Sequence, residues 1–244
     1  MTAAAGARAI VLDVEGTTTP TSFVYGVLFP FARSRVKTFF EANIGSPELR
    51  QILDSMHEDY RADVARKLNP PNWQTIERLD DAVAYVNWLM DRDRKSTALK
   101  KLQGEIWEEG YRAGTLRGEV FDDVPEALER WRRHDRRVGI FSSGSVLAQK
   151  LLVANSTAGD LTGFITAYFD TTLGPKVEAD SYRRIATAIE TPAASVAFVS
   201  DVTKELEAAC AAGMQALLCV RPGNSPQEHA DRYPQIGSLL EVPD

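Results

Sequence analysis

From residue 120 to residue 220 short apolar runs alternate with amphipathic stretches, and no other feature of the chain restricts its fold as tightly. Residues 125–134, 146–154, 179–189 and 204–212 carry helical spacing, whereas 138–141, 164–169, 196–199 and 216–220 read as strands. Strands joined through helices pair in parallel, because a parallel neighbour needs a crossover long enough to hold a helix. The helices then cover both faces of the sheet, which predicts an α/β fold with a doubly wound parallel sheet. Ala9-Ile10-Val11-Leu12, closed by Asp13 and Gly16, is one more buried-strand pattern and must join that sheet.

Between this first strand and the next lies a block of a different kind. Leu49, Ile52, Leu53 and Met56 follow helical spacing, as do Ile76, Leu79, Val83, Val86 and Met90, then Leu99, Leu102 and Ile106. Pro70-Pro71 separates the first helix from the second, since paired prolines cannot continue one. Each helix has a single apolar stripe, so the block predicts a small bundle inserted into the sheet domain. The expected division is 1–20 with 117–244 for the core and 21–116 for the insertion. Trp88 and Trp107 fall on the bundle's apolar faces.

Composition narrows the function. The net charge of −6 does not favour nucleic acid or anionic lipid as a partner. The one basic run, Arg130 to Arg137, reads as a solvated helix end. No stretch approaches a membrane span, and residues 1–8 lack the apolar segment of a signal peptide. Cys210 and Cys219 show neither metal nor redox spacing and read as small buried hydrophobes in a reducing cytoplasm. His57, His134 and His229 lie away from every motif.

Four strand or turn ends carry chemistry: Asp13-Val14-Glu15-Gly16-Thr17-Thr18, Phe141-Ser142-Ser143-Gly144-Ser145, Gly174-Pro175-Lys176 and Val199-Ser200-Asp201. Singly each has an ordinary explanation. Asp13 suits a turn, the serines and Asp201 suit helix caps, and a lone lysine suits the surface. Capping predicts no coupling between the four, however, and carboxyl ends of parallel strands converge on one crevice. Phosphate-monoester hydrolysis is among the slowest uncatalysed reactions and demands a nucleophile, charge neutralisation and a proton donor. Asp13 can attack phosphorus, and Glu15 can donate the proton or join a cation site. Asp201 completes an all-oxygen site suited to Mg²⁺. Ser142, Ser143 and the backbone near Gly144 offer donors to phosphate oxygens, and Lys176 offers a positive charge.

Together these motifs resemble the haloacid dehalogenase superfamily, with Glu15 in place of its usual second aspartate. The series Asp13-x-Glu15-Gly16-Thr17-Thr18, Phe141-Ser142-Ser143-Gly144-Ser145, Lys176-Val177-Glu178 and Asp201-Val202-Thr203 is similar to the enolase-phosphatase E1 family within it. The resemblance implies an enzyme that enolises 2,3-diketo-5-methylthiopentyl-1-phosphate and hydrolyses the enol phosphate to an acireductone and phosphate, and the chain is expected to be a cytoplasmic monomer. It implies one Mg²⁺ at Asp13, Glu15 and Asp201, substrate contacts from Ser142, Ser143 and Lys176, and a helical cap over the site. Glu205 is the nearest candidate for the superfamily's later second acid. The competing expectations are another phosphatase or phosphomutase of the superfamily, a dehalogenase, and a non-catalytic phosphate-binding module.

Overall fold

The computed structural model describes residues 6–94 and 96–243. The alanine-rich start at residues 1–5 lies outside the described residues. The chain divides into two compact units, one of Met1–Gly26 with Arg117–Asp244 and one of Val27–Leu116.

The first unit is built on a six-stranded sheet in the order β3-β2-β1-β4-β5-β6. Its strands are β1 (Ala9–Leu12), β2 (Arg137–Ser142), β3 (Ala167–Asp170), β4 (Val196–Ser200), β5 (Gln215–Cys219) and β6 (Gln235–Ile236). Every pairing is parallel. Each residue of β1 and of β4 is buried, as expected of strands covered on both faces. The order reverses between β1 and β4, so the crevice at their carboxyl ends is where such a sheet binds ligand. The helices of this unit are α1 (Thr21–Phe23), α6 (Asp123–Arg133), α7 (Val146–Ala154), α8 (Ala179–Ala188) and α9 (Thr203–Ala211). One layer of the core gathers Phe141, Tyr182 and Phe198, with Tyr182 edge-on to the other two at 5.5 and 4.9 Å between ring centres.

The second unit holds α2 (Phe29–Ala42), α3 (Pro47–Ala65), α4 (Leu79–Met90) and α5 (Thr97–Arg112). Ser46 and Ser96 cap α3 and α5 by accepting from the amides of Leu49 and Leu99. A methyl group on Gly110 would collide with the Phe31 ring, which is how closely α5 approaches α2. Trp107 donates to the Leu28 carbonyl at 2.9 Å, and Trp88 lies buried in the bundle, as their spacing predicts. Asp63, almost wholly buried, accepts from Arg94 at 2.6 Å and from Tyr85 at 3.0 Å.

Several expectations need correction. The strand expected over 164–169 begins only at Ala167, because Thr162–Phe164 forms a 3₁₀ turn whose Phe164 ring lies under the Arg132 guanidinium, 4.4 Å away. The basic run is not a solvated face throughout. Arg130 donates to the carbonyls of Leu240 and Val242 at 2.7 and 2.6 Å, and Arg136 donates to Pro243 at 2.6 Å. Trp131 between them is fully buried, so this stretch clasps the C-terminal segment. Cys219 is buried, but Cys210 is exposed on the outer face of α9. Two elements carry no clear sequence signal. Helix α2 hides behind Pro30, which is tolerated in a first turn, and β6 is only two residues long.

Candidate active site

Strand register brings the predicted residues to one edge of the sheet. Leu12 pairs with Ile140 on one side and with Val199 on the other, so Asp13, Phe141 and Ser200 form the next row and Ser142 and Asp201 the one beyond. The amide of Asp13 donates to the Val199 carbonyl at 2.9 Å, extending the ladder to the acid itself. The chain then winds into a tight turn in which the amides of Thr17, Thr18 and Thr19 all point at the Val14 carbonyl. Gly16 makes this turn possible. Its φ is +70°, and a Cβ there would stand 2.5 Å from Asp201 Oδ2, so a side chain would be strained and would invade the second acid.

Asp13 is buried and heavily engaged. Its Oδ1 accepts from Lys176 Nζ at 2.6 Å and from the Val14 amide at 2.8 Å. Its Oδ2 has only a 3.3 Å contact with the Ser200 hydroxyl. That hydroxyl lies closer to Glu205 Oε2, at 3.0 Å, and its single proton serves one acceptor at a time. Thus Oδ2 is the less committed oxygen of Asp13.

Lys176 is 7% exposed, far from the surface lysine that the residue suggests in isolation. Its backbone is set by the buried Tyr182, whose hydroxyl donates to the Lys176 carbonyl at 2.7 Å, and Ser181 does the same for Pro175. Nζ also meets Glu205 Oε2 at 2.7 Å. Burial opposes the charge on Lys176, but Asp13 and Glu205 outweigh it and hold the ammonium above its ordinary pKa. Glu205 comes from the first turn of α9, where the helix dipole suits a carboxylate.

The acids are crowded. Burial, with Asp13 and Glu15 as like charges, pushes Asp201 up to about 7, and burial with Asp13 pushes Glu205 up to about 7. Two acids held this far above their ordinary range mark a site short of positive charge, and its donors are all oxygen. That chemistry fits a hard divalent cation. Among the described residues no three acid, histidine or cysteine side chains already form a metal cage. Magnesium needs none, since it takes one or two carboxylates and fills its octahedron with waters and substrate oxygens.

The serines divide their work. Ser145 caps α7 by accepting from the Ala148 amide at 3.3 Å. Ser142, buried at the end of β2, accepts from the Gly144 amide at 3.1 Å, while Ser143 is exposed. Gln149 ties this loop down, donating to Gly144 and Phe169 carbonyls at 2.8 Å each. Sequence reasoning missed Ser200, and it left Glu205 without a partner. It also missed Arg221 and Asn224, which bond the carbonyls of Thr17 and Gly16. Only their short spacing from β5 could have signalled them.

A buried acid and lysine at the switch point of a parallel sheet, with a second acid on the adjoining strand, define a haloacid dehalogenase-like hydrolase, and the model of that family matches residues 7–213. Enolase-phosphatase E1 of Synechococcus elongatus is 48% identical over 91% of this chain and 92% of its own length. Its counterpart from Sorangium cellulosum is 45% identical over 91% and 92%. The crystal structure of the UTR4 protein from Saccharomyces cerevisiae superposes with a TM-score of 0.77 at 32% identity, covering 95% of this chain and 98% of the other. A dehalogenase at 17% identity and a TM-score of 0.55 shares the fold. The chain belongs to the enolase-phosphatase E1 family of haloacid dehalogenase-like hydrolases. It is an enzyme of a family that generally uses Mg²⁺. Among the described residues no helix is long and apolar enough to cross a membrane.

Proposed function

We propose that this chain is the enolase-phosphatase of methionine salvage, a cytoplasmic monomer that enolises 2,3-diketo-5-methylthiopentyl-1-phosphate and hydrolyses the enol phosphate to acireductone and phosphate. The observation that carries the phosphatase half is the buried contact between Asp13 and Lys176 at the reversal of strand order. Asp13 Oδ2 attacks phosphorus, the bond from phosphorus to the enol oxygen breaks, and that oxygen takes the proton that Glu15 removed during enolisation. Water then cleaves the aspartyl-phosphate and releases inorganic phosphate. Lys176 holds Oδ1 and faces charge that develops on the phosphoryl oxygens. Ser142, Ser143 and the neighbouring backbone hold the phosphate.

Asp13, Glu15 and Asp201 would hold Mg²⁺, and when bound the cation offsets the repulsion between the anionic ester and the carboxylates. For enolisation we assign the proton transfer to Glu15, the acid on the same turn as Asp13 and without a histidine competitor among the motifs. We propose that the inserted helical block, 21–116 by the sequence reading, acts as a mobile cap with hinges near Thr19-Pro20 and at 114–118. Hydrogen-exchange protection at those hinges should rise when a phosphate analogue binds; unchanged protection would count against it.

The decisive experiment supplies the diketone phosphate and Mg²⁺ and follows enol absorbance together with phosphate release. Asp13→Asn should stop phosphate release by about 10⁴-fold or more, as loss of a nucleophile does. Glu15→Gln should slow enol formation. Phosphate release by the Asp13 variant, or a preference for simple sugar phosphates, refutes the reading.

A further inference from the structure

The segment after β5 reaches back to the turn after β1 through two side chains. Arg221, buried, donates to the Thr17 carbonyl from Nε at 3.3 Å and from Nη2 at 3.2 Å, and to the Gly237 carbonyl at 2.8 Å. Asn224 donates from Nδ2 to the carbonyls of Gly16 at 2.9 Å and Cys219 at 3.3 Å. Two carbonyl acceptors settle which end of the carboxamide is nitrogen. The other end, Oδ1, is buried and has no hydrogen-bond partner among the described residues.

The direction of that oxygen is informative. A Cβ on Gly16 would stand 2.5 Å from Asp201 Oδ2 and 2.9 Å from Asn224 Oδ1, so the two oxygens face the same small space beside Gly16. Two acceptors turned on one space are unfavourable unless a donor enters between them, and leaving a buried acceptor unmet is costly. Water on a divalent cation is such a donor, since Mg²⁺ keeps several of its waters and turns their hydrogens outward.

We propose that Asn224 is a positioning residue of the cation site. Its Nδ2 fixes the Gly16 carbonyl and with it the turn that carries Glu15, and its Oδ1 accepts a hydrogen bond from cation-bound water beside Asp201. This rests on the reading of Asp13, Glu15 and Asp201 as the cation's holders.

The test is calorimetric titration of Mg²⁺ into the full chain and its Asn224→Ala, Asn224→Asp and Asp201→Asn variants, with the melting temperature of each recorded. Groups that support metal ligands typically change affinity by about 10–100-fold, so Asn224→Ala should weaken Mg²⁺ binding about tenfold. Asn224→Asp loses the Nδ2 donors but keeps an oxygen facing Asp201 and adds charge. It should therefore bind Mg²⁺ more tightly than Asn224→Ala, which shares the loss of the donors but has no oxygen there. A clamp on the Gly16 carbonyl alone would make both variants weaken alike, and that result overturns the proposal, as does no change in either. If Asn224→Ala fails to fold, Asn224→Leu takes its place as the variant without the oxygen, and binding no weaker than that of Asn224→Asp overturns the proposal. Unaltered Mg²⁺ binding by Asp201→Asn would instead sink the cation site itself, so the two failures are distinguishable.

Discussion

Replacing Lys176 by methionine keeps the aliphatic stem and removes the cation from between two buried acids. Nζ stands 2.6 Å from Asp13 and 2.7 Å from Glu205, and all three residues are less than a tenth exposed. Breaking such a pair leaves uncompensated interior charge and costs about 3–5 kcal/mol. Proton uptake offsets part of this, because burial and the Asp13 charge already push Glu205 up to about 7. Each pKa unit is worth about 1.4 kcal/mol, so a net loss of about 2–3 kcal/mol near neutrality is expected in magnesium-free buffer. Its pH dependence has a fixed sign. An acid whose folded pKa lies above its unfolded value destabilises nothing below the unfolded value, and its penalty grows as pH rises toward the folded one. Urea unfolding should therefore show a larger deficit for Lys176→Met at about pH 8 than at about pH 6. Adding Glu205→Gln should recover about half of the loss, since one acid then remains unpaired. A deficit under about 1 kcal/mol at the higher pH, or no recovery in the double variant, would refute the claim that one lysine neutralises both acids.

Other substitutions probe the turn and its support. Gly16→Ala forces an L residue to φ +70° and sets a methyl 2.5 Å from Asp201 Oδ2. Stability should fall by about 1–2 kcal/mol, and phosphate release by about 100-fold through misplacement of the acids; a variant with normal turnover contradicts the need for glycine. Burial would raise the pKa of Asp123, but hydrogen bonds from Arg221, Ser238 and the Leu239 amide prevail and hold it below its ordinary value. Its contribution is present above the unfolded value and lost as pH falls through the folded one. Asp123→Asn should then cost about 2–3 kcal/mol near neutrality, with the gap to the parent closing below about pH 4, and a gap that persists in acid would exclude the ion pair as its source. Chelation of divalent cations should abolish phosphate release and added Mg²⁺ restore it; undiminished release in chelator would remove the cation from the reaction.

How far the site is legible from sequence follows from which contacts are local. Asp13, Ser142 and Asp201 sit just beyond apolar strand runs, and a parallel sheet delivers such positions to one edge whatever its strand order. Lys176 follows a glycine and proline that announce a turn but do not say which way the side chain enters. Ser200, Glu205, Arg221 and Asn224 are different. Their roles depend on β1 lying beside β4, a pairing that joins Asp13 to Ser200 across 187 positions. Strand order has no local signature, and neither do β6, at two residues, and the clasp that Arg130 makes on Leu240 and Val242.

The same pairing explains why Asp13, Asp201 and Glu205 crowd around one buried lysine that pairs with two of them. Setting β4 against β1 brings Asp201 and Glu205 toward Asp13 and Glu15, and burial raises both of the β4-side acids to about 7. In a protein selected for stability alone an apolar residue at either position would be favoured, because a buried ion pair seldom improves on good packing. The strain is useful only if positive charge arrives from outside. Asp13 and Asp201 are placed to hold a divalent cation, which would offset the like charges that raise Asp201, while Lys176 stays with Asp13 and Glu205. It follows that Mg²⁺ should stabilise the chain more at about pH 8 than at about pH 6, as the acids that would hold it lose their protons. A melting-temperature gain from Mg²⁺ that did not grow with pH would break this link between the crowding of acids and the need for a cation.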